Sequence, residues 1–138
     1  MKKGLLKLVT LSILVVTLAS CAKVPQVDID AANVAIEAAK NAGADRYVAA
    51  SYQAAVDAQK SGLAQVEEQN AKFALFRNYD VAKTTLTSVT TLSNKAVEET
   101  TARKEALKAE VTAAIAELTT TIEADKELLK KAPKGKEG

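Results

Sequence analysis

The sequence contains no histidine and no tryptophan, and only one cysteine, two prolines and five glycines among its 138 residues. Without histidine or a second thiol, the chain cannot assemble a Ser-His or Cys-His catalytic pair. The same shortage excludes zinc sites built from histidine and cysteine, and a single cysteine cannot form an internal disulfide. There is no glycine-rich phosphate loop. We therefore expect a protein that is not an enzyme and that binds no metal or cofactor.

The residues that are abundant favour long helices. Ala, Glu, Lys and Thr dominate the chain after residue 20, and large apolar side chains are few there, so any core is thin. The formal charge of +2 includes Lys2, Lys3 and Lys7 near the start, and removing those three charges leaves −1. A near-neutral domain is not suited to binding nucleic acid.

The first twenty-one residues have the order of a bacterial lipoprotein leader. Lys2 and Lys3 precede an apolar stretch from Leu8 to Ala19, and Cys21 follows two residues later. About 12 apolar residues are too few to span a bilayer, which needs about 20, but they suit a signal peptide. The sequence Leu18-Ala19-Ser20-Cys21 resembles the lipobox of bacterial lipoproteins. The resemblance implies a signal peptide over residues 1–20, cleavage before Cys21, and lipidation of its sulfur and new amine.

The residue after Cys21 indicates to which membrane a lipoprotein is sorted. It is Ala22 and not Asp, which by resemblance to enterobacterial lipoproteins implies the outer membrane, on its periplasmic side. Two or three acyl chains on Cys21 would hold the protein permanently at a membrane, because each buried CH₂ contributes about 0.8 kcal/mol. The alternative is an ordinary signal peptide followed by an incidental cysteine.

Turn residues divide the rest of the chain into a tether and three predicted helices. Pro25 disfavours helix, so residues 21–29 are predicted to be the lipidated cysteine and its tether. Asp30 is a suitable N-cap for a first helix over about 31–42, which Gly43 ends as the C′ residue. Asp45 can cap a second helix over about 45–69.

A third helix is predicted over about 72–131, followed by a disordered tail over 133–138. The fold predicted for residues 30–132 is all-α, an elongated antiparallel helical hairpin or three-helix bundle with a long C-terminal helix. Its core face is predicted from 4-3 spacing and comprises Leu75, Tyr79, Ala82, Leu86, Val89, Ser93 and Ala96. The Thr-rich segment 84–91 is a poor helix former, but the helical periodicity continues through it, and whether it bends the helix stays open.

The aromatic residues after the leader are Tyr47, Tyr52, Phe73, Phe76 and Tyr79. We predict that they fill gaps in an Ala-rich bundle, and the alternative is a ligand pocket. Tyr52 in particular is predicted to be a core residue that faces Ile36 and either Leu86 or Val89. Gly62, inside the second helix, costs about 1 kcal/mol against Ala, or it allows close packing.

Small residues and one tyrosine in residues 31–62 resemble a known pattern. The matching positions are Ala31, Ala35-Ile36, Ala39, Gly43-Ala44, Tyr47 and Ala55. The pattern resembles the bacterial envelope family called domain of unknown function 4398, over roughly residues 30–100. That family usually has Tyr-Ala-Pro where this chain has Tyr47-Val48-Ala49, and a leucine where it has Tyr52. The resemblance implies a lipoprotein, or a companion of peptidoglycan-binding modules, without catalytic residues.

The far end of the third predicted helix carries a second apolar stripe, formed by Leu107, Val111, Leu118, Ile122 and Leu129. A second helix folded back from a turn near residue 70 covers the third only to about residue 96. Residues 97–131 then have nothing in the chain to pack on, and an isolated helix is marginal in water. We predict that this stripe is an interaction surface for an envelope protein or a second copy. The alternative is a solvated helix that binds nothing.

Two functions are consistent with these patterns. The first is a structural or adaptor lipoprotein of the cell envelope, attached to the membrane through Cys21 and presenting its helical surface to a protein partner. The second is a lipid-handling module that lays its apolar face on membranes. The polar face mixes both signs of charge and the apolar face is largely Ala and Thr, which favours the first. Neither nucleic acid nor a small-molecule substrate is an expected partner.

Overall fold

The computed structural model describes residues 22–132 and Gly135. Four α-helices form there, namely α1 (Gln26–Ala42), α2 (Ala44–Tyr47), α3 (Ala49–Ala71) and α4 (Asp80–Lys131), with a 3₁₀ turn at Ala74–Phe76. None of the described residues lies in a strand, so the predicted all-α class with a long C-terminal helix is confirmed. The predicted leader, Cys21, and all of the predicted tail except Gly135 lie outside the described residues.

The first helix begins earlier than predicted. α1 starts at Gln26, directly after Pro25, and not near residue 31. Proline suits the start of a helix because its φ is already helical and its missing N–H would have no partner in the first turn. The side-chain amide of Gln26 donates to Asp30 Oδ1 at 2.8 Å. Asp30 is therefore an interior residue and not the N-cap, and the predicted tether ends at Pro25.

Gly43 ends α1 as predicted, with a φ of 93°. Its backbone N–H donates to the carbonyl of Lys40, and a left-handed residue of this kind is the common end of a helix. The second predicted helix is interrupted there. The single turn α2 contains Asp45, which therefore caps nothing, and Val48 separates α2 from α3.

The connection between α3 and α4 is longer than predicted. Residues 72–79, called here the α3–α4 loop, contain the 3₁₀ turn with extended Lys72 and Arg77 on its two sides, and α4 starts at Asp80 rather than near residue 72. Two side chains of the loop replace helical hydrogen bonds. Arg77 donates to the carbonyls of Asn70 and Lys72, and Asn78 Oδ1 accepts from the backbone N–H of Asp80 at 2.8 Å.

The predicted core face of the long helix is confirmed with one exception. Leu75 lies in the α3–α4 loop and is exposed, which corrects its placement. The other six predicted residues are buried, and the same spacing continues to Thr100. Helix α4 is unbroken through the Thr-rich segment, where Thr84 donates to the carbonyl four residues earlier. The face is buried against α1 and α3.

The register between α3 and α4 follows from the length of their loop. Ser51 donates to Glu99, and Thr85 donates to Gln65 at 2.9 Å, so facing residue numbers add to 150. Tyr52 therefore lies level with residue 98, half-buried against Ala39, Ala44 and Ala96. Its predicted position against Ile36 and Leu86 or Val89 is wrong, because the turn was expected about five residues too early.

Tyr79 and Gly62 show how α3 and α4 pack against each other. Tyr79 is buried in the core, with its hydroxyl donating to Asn70 Oδ1 at 2.5 Å. Gly62 is buried against α4, where an added Cβ would lie 2.9 Å from Leu86 Cδ2. The glycine is therefore required for close packing.

Candidate interaction surfaces

The bundle has two different ends. Cys21 is outside the described residues, but Ala22 packs against the core beside Tyr79 and Lys83. The predicted lipid attachment therefore lies at the end of the bundle where the α3–α4 loop is found. The other end is the turn at residues 43–48, and α4 continues beyond it.

The α3–α4 loop is held in one conformation by its polar side chains. Besides the bonds of Arg77 to the end of α3, the backbone N–H of Asn78 donates to Gln69 Oε1 at 3.0 Å, and Tyr79 reaches Asn70. A loop with its backbone tied in this way presents a fixed surface, because few of its groups are free to move independently.

Three apolar side chains point outward from this loop. Phe73, Leu75 and Phe76, called here the loop tip, keep 69%, 64% and 76% of their surface exposed. The two rings lie 6.3 Å apart. The prediction that all the aromatic residues fill the bundle is therefore wrong for these two, and also for Tyr47, which is exposed. The signal in the sequence for the two phenylalanines was their position between Lys72 and Arg77, outside any helical repeat.

The charges around the loop tip are mixed. Lys72 forms an ion pair with Glu68 at 3.2 Å, and Lys23 and Lys83 line a shallow depression together with Asp80. Arg77 lines the same depression, so the loop tip is an apolar projection on a rim where basic side chains outnumber acidic ones. Such a surface suits the apolar part of a membrane interface more than a purely anionic ligand.

Helix α4 leaves the bundle at Lys104. Its ammonium donates to the carbonyl of Ala42 at 2.6 Å and lies 5.0 Å from the centre of the Tyr47 ring. Beyond it every described residue is exposed except the half-buried Leu107. Residues 105–131, called here the overhang, extend about 40 Å at 1.5 Å per residue. The bundle reaches about residue 100, slightly further than the predicted limit of 96.

The structure brings the predicted interaction residues onto one side of the overhang. Val111, Leu118, Ile122 and Leu129 are 52–75% exposed, and with Leu107 they lie within about 60° around the axis at 100° per residue. Ile115 was not included in the predicted stripe, although its four-residue spacing from Val111 places it on the same side. We call the six residues the overhang stripe. It continues the buried face of α4 beyond the bundle.

Residues 22–132 contain no cluster of three acidic or other metal-binding side chains. No helix in that part of the chain combines the length and the apolar character needed to cross a membrane. Both surfaces are apolar and open, which is what protein or lipid contacts need.

Comparison of the chain with protein-family models, with curated proteins and with solved structures finds no match.

Proposed function

We propose that this protein is a structural or adaptor lipoprotein of the bacterial envelope, and not an enzyme. Cys21 would anchor it to a membrane, in the periplasm and on the outer membrane, and the overhang would bind a protein partner. The observation that carries the proposal is the separation of the two surfaces. The loop tip lies beside the predicted anchor, whereas the overhang stripe lies at the opposite end of a rigid helix of 52 residues.

The leader and the family resemblance support the same proposal. A basic start, a short apolar core and Leu18-Ala19-Ser20-Cys21 occur in the order that lipidation needs. The resemblance of residues 31–62 to domain of unknown function 4398 implies an envelope lipoprotein. Replacement of Cys21 by Ser should leave an uncut precursor without lipid, detected by mass spectrometry. A fully processed, membrane-bound Cys21→Ser protein would contradict the anchor.

The loop tip supports an orientation of the anchored protein. Because it projects next to Ala22, acyl chains on Cys21 would bring Phe73, Leu75 and Phe76 to the bilayer surface. Burial of one such side chain contributes about 1.5–3 kcal/mol. The overhang would then point away from the membrane that holds the chain, where it can meet a partner, including a copy held by a facing membrane.

The adaptor role is tested by removing the overhang from the full protein in cells. Truncation after Lys104 keeps all the buried residues of the bundle and the bond of Lys104 to Ala42. We expect the truncated protein to be stable and lipidated but to lose the proteins that crosslink to the full chain. An identical set of crosslinked proteins would exclude the overhang as the binding surface.

The alternative is a lipid-handling module, which the exposure of the overhang stripe favours. The two functions differ in which surface binds lipid. Flotation of unlipidated residues 22–138 with vesicles would depend on the loop tip in an adaptor, and truncation after Lys104 would leave it unchanged. In a lipid-handling module the same truncation would remove most of the binding.

A further inference from the structure

Two charged residues interrupt the overhang stripe. In the heptad notation of coiled coils, Ile115, Ile122 and Leu129 occupy a positions, and Val111 and Leu118 occupy d positions. Lys108 falls at the preceding a position and Asp125 at the following d position. Both are exposed, and neither forms an ion pair within the part of the chain that the structure describes.

We propose that the overhang binds the overhang of a second copy of this chain in the antiparallel direction, with Lys108 of each copy against Asp125 of the other. This names the partner of the surface proposed above and rests on that role. In an antiparallel pair each a residue meets a d residue of the other helix. The layers are then Lys108 with Asp125, Val111 with Ile122, and Ile115 with Leu118, each formed twice around a two-fold axis.

The charges select this direction and register. A parallel pair would set Lys108 against Lys108 and Asp125 against Asp125, two repulsive layers in a seam that excludes water. An antiparallel pair moved by one heptad would set Asp125 against Ile115, or Lys108 against Leu118. A buried charge without a partner is strongly destabilising. Only the proposed register gives both charged residues an opposite charge.

The residues that flank the a and d positions of the two paired helices fit the same register. Glu105 of one helix comes within about two residues of the level of Lys126 of the second copy, so an ion pair of opposite charges is possible on each side. Leu107 comes close to the level of Leu128 of the second copy. Leu128 lies off the stripe and is exposed in the single chain, and this contact accounts for its presence there.

The length of the overhang also fits. In this register residue 131 of the second copy lies level with residue 102, where the bundle ends and the turn at 43–48 begins. The second helix would fill the space beyond α1 and α3 and stop at Tyr47 and Lys104. An overlap longer by one heptad would drive it into that turn. The overhang is therefore paired over residues 105–128, and Leu129 of the second copy lies level with Lys104 at the edge of the bundle.

The area is sufficient for a dimer. The exposed aliphatic residues of the overhang bury roughly 800 Å² of apolar surface over two copies. The Ala and Thr side chains between them and the methylene stems of Lys and Glu bring the interface to about 1,200 Å², where stable specific interfaces begin.

The test is sedimentation of residues 22–138, which contain the whole described bundle and no cysteine other than any introduced. We expect a dimer, and a dimer dissociation constant raised by at least about tenfold in Lys108→Asp and in Asp125→Lys, so that the monomer is favoured in each. Combination of the two substitutions should restore the dimer, because each new charge again meets its opposite. A parallel pair would keep both repulsive layers in the double variant. Glu117→Lys, off the stripe, is the matched control and should dimerise like the unchanged chain.

A crosslink tests the direction independently. An equimolar mixture of Ile115→Cys and Leu118→Cys chains should oxidise mainly to the mixed disulfide. Preferential linkage of Leu118→Cys to itself would indicate a parallel pair and overturn the proposal. A monomer at all concentrations, or a dimer unaffected by either single charge reversal, would also overturn it. In those cases crosslinks to another protein that depend on the overhang would still support the adaptor function.

Discussion

At the scale of single residues, the most informative side chain is Ser93. It is fully buried on the core face of α4, and its hydroxyl has no hydrogen-bond partner among the described residues. An unsatisfied buried hydroxyl costs about 1–3 kcal/mol. Its position on the face was predicted by spacing alone, but spacing does not reveal whether a polar atom finds a partner.

We therefore expect Ser93→Ala to raise the free energy of unfolding by about 1 kcal/mol. Ser88→Ala is the matched control, because Ser88 lies in the same helix, is exposed, and donates to the carbonyl of Thr85 at 2.6 Å. Both substitutions gain the same helix propensity. The difference between their changes in the free energy of unfolding therefore reports on the buried hydroxyl of Ser93. Urea unfolding of residues 22–138 measures both. Equal effects would show that the hydroxyl of Ser93 is satisfied by water.

Gly62 shows where propensity and packing oppose each other. Alanine there would gain about 1 kcal/mol of helix propensity, but its Cβ would lie 2.9 Å from the fully buried Leu86. Overpacking typically costs about 1–3 kcal/mol. We expect Gly62→Ala to lower the melting temperature, and a smaller loss when Leu86→Val is present as well. A raised melting temperature in the single variant would show that Leu86 can move aside.

At the scale of elements, repeats were predicted well and connections were not. The spacing from Tyr79 to Ala96 identified the core face because α4 packs on both α1 and α3, so one side of the helix must be apolar. The first residue of α4 could not be predicted from apolar spacing. It depends on hydrogen bonds from Arg77 and Asn78 to groups that only the folded chain brings near. The misplaced Tyr52 follows from that single error, because loop length sets the register.

The loop tip is an element with a testable role. The double substitution Phe73→Ser with Phe76→Ser removes two exposed rings without touching the core. We expect it to lower the vesicle partition coefficient of residues 22–138 by at least about tenfold, since each ring buried in lipid contributes about 1.5–3 kcal/mol. Because basic side chains outnumber acidic ones around the loop tip, the binding should also strengthen when anionic lipid is added. Val34→Ser, an exposed apolar position on α1, is the control. Unchanged partitioning of the double variant would remove the loop tip from the membrane surface.

At the scale of the whole molecule, the bundle and the overhang impose a geometry on any assembly. The sequence already indicated both, because an apolar stripe continued past the reach of the second helix. It did not indicate the partner. Lys108 and Asp125 can be paired in a register only when the structure shows which part of α4 is exposed and free to bind. In the antiparallel dimer the two bundles lie at opposite ends. From Asp80 to the two-fold axis is about 55 Å at 1.5 Å per residue, so the two predicted anchors are about 110 Å apart.

This separation predicts that the dimer can join two membranes. Residues 22–138 with an N-terminal histidine tag, on vesicles containing nickel-chelating lipid, reproduce the attachment at Cys21. We expect the vesicles to cluster, measured by dynamic light scattering, and to separate when imidazole is added. Lys108→Asp should abolish clustering although it still binds vesicles, and the combination with Asp125→Lys should restore it. If the protein dimerises in solution and coats vesicles without clustering them, both anchors of a dimer must lie on one membrane, with the long helices along its surface.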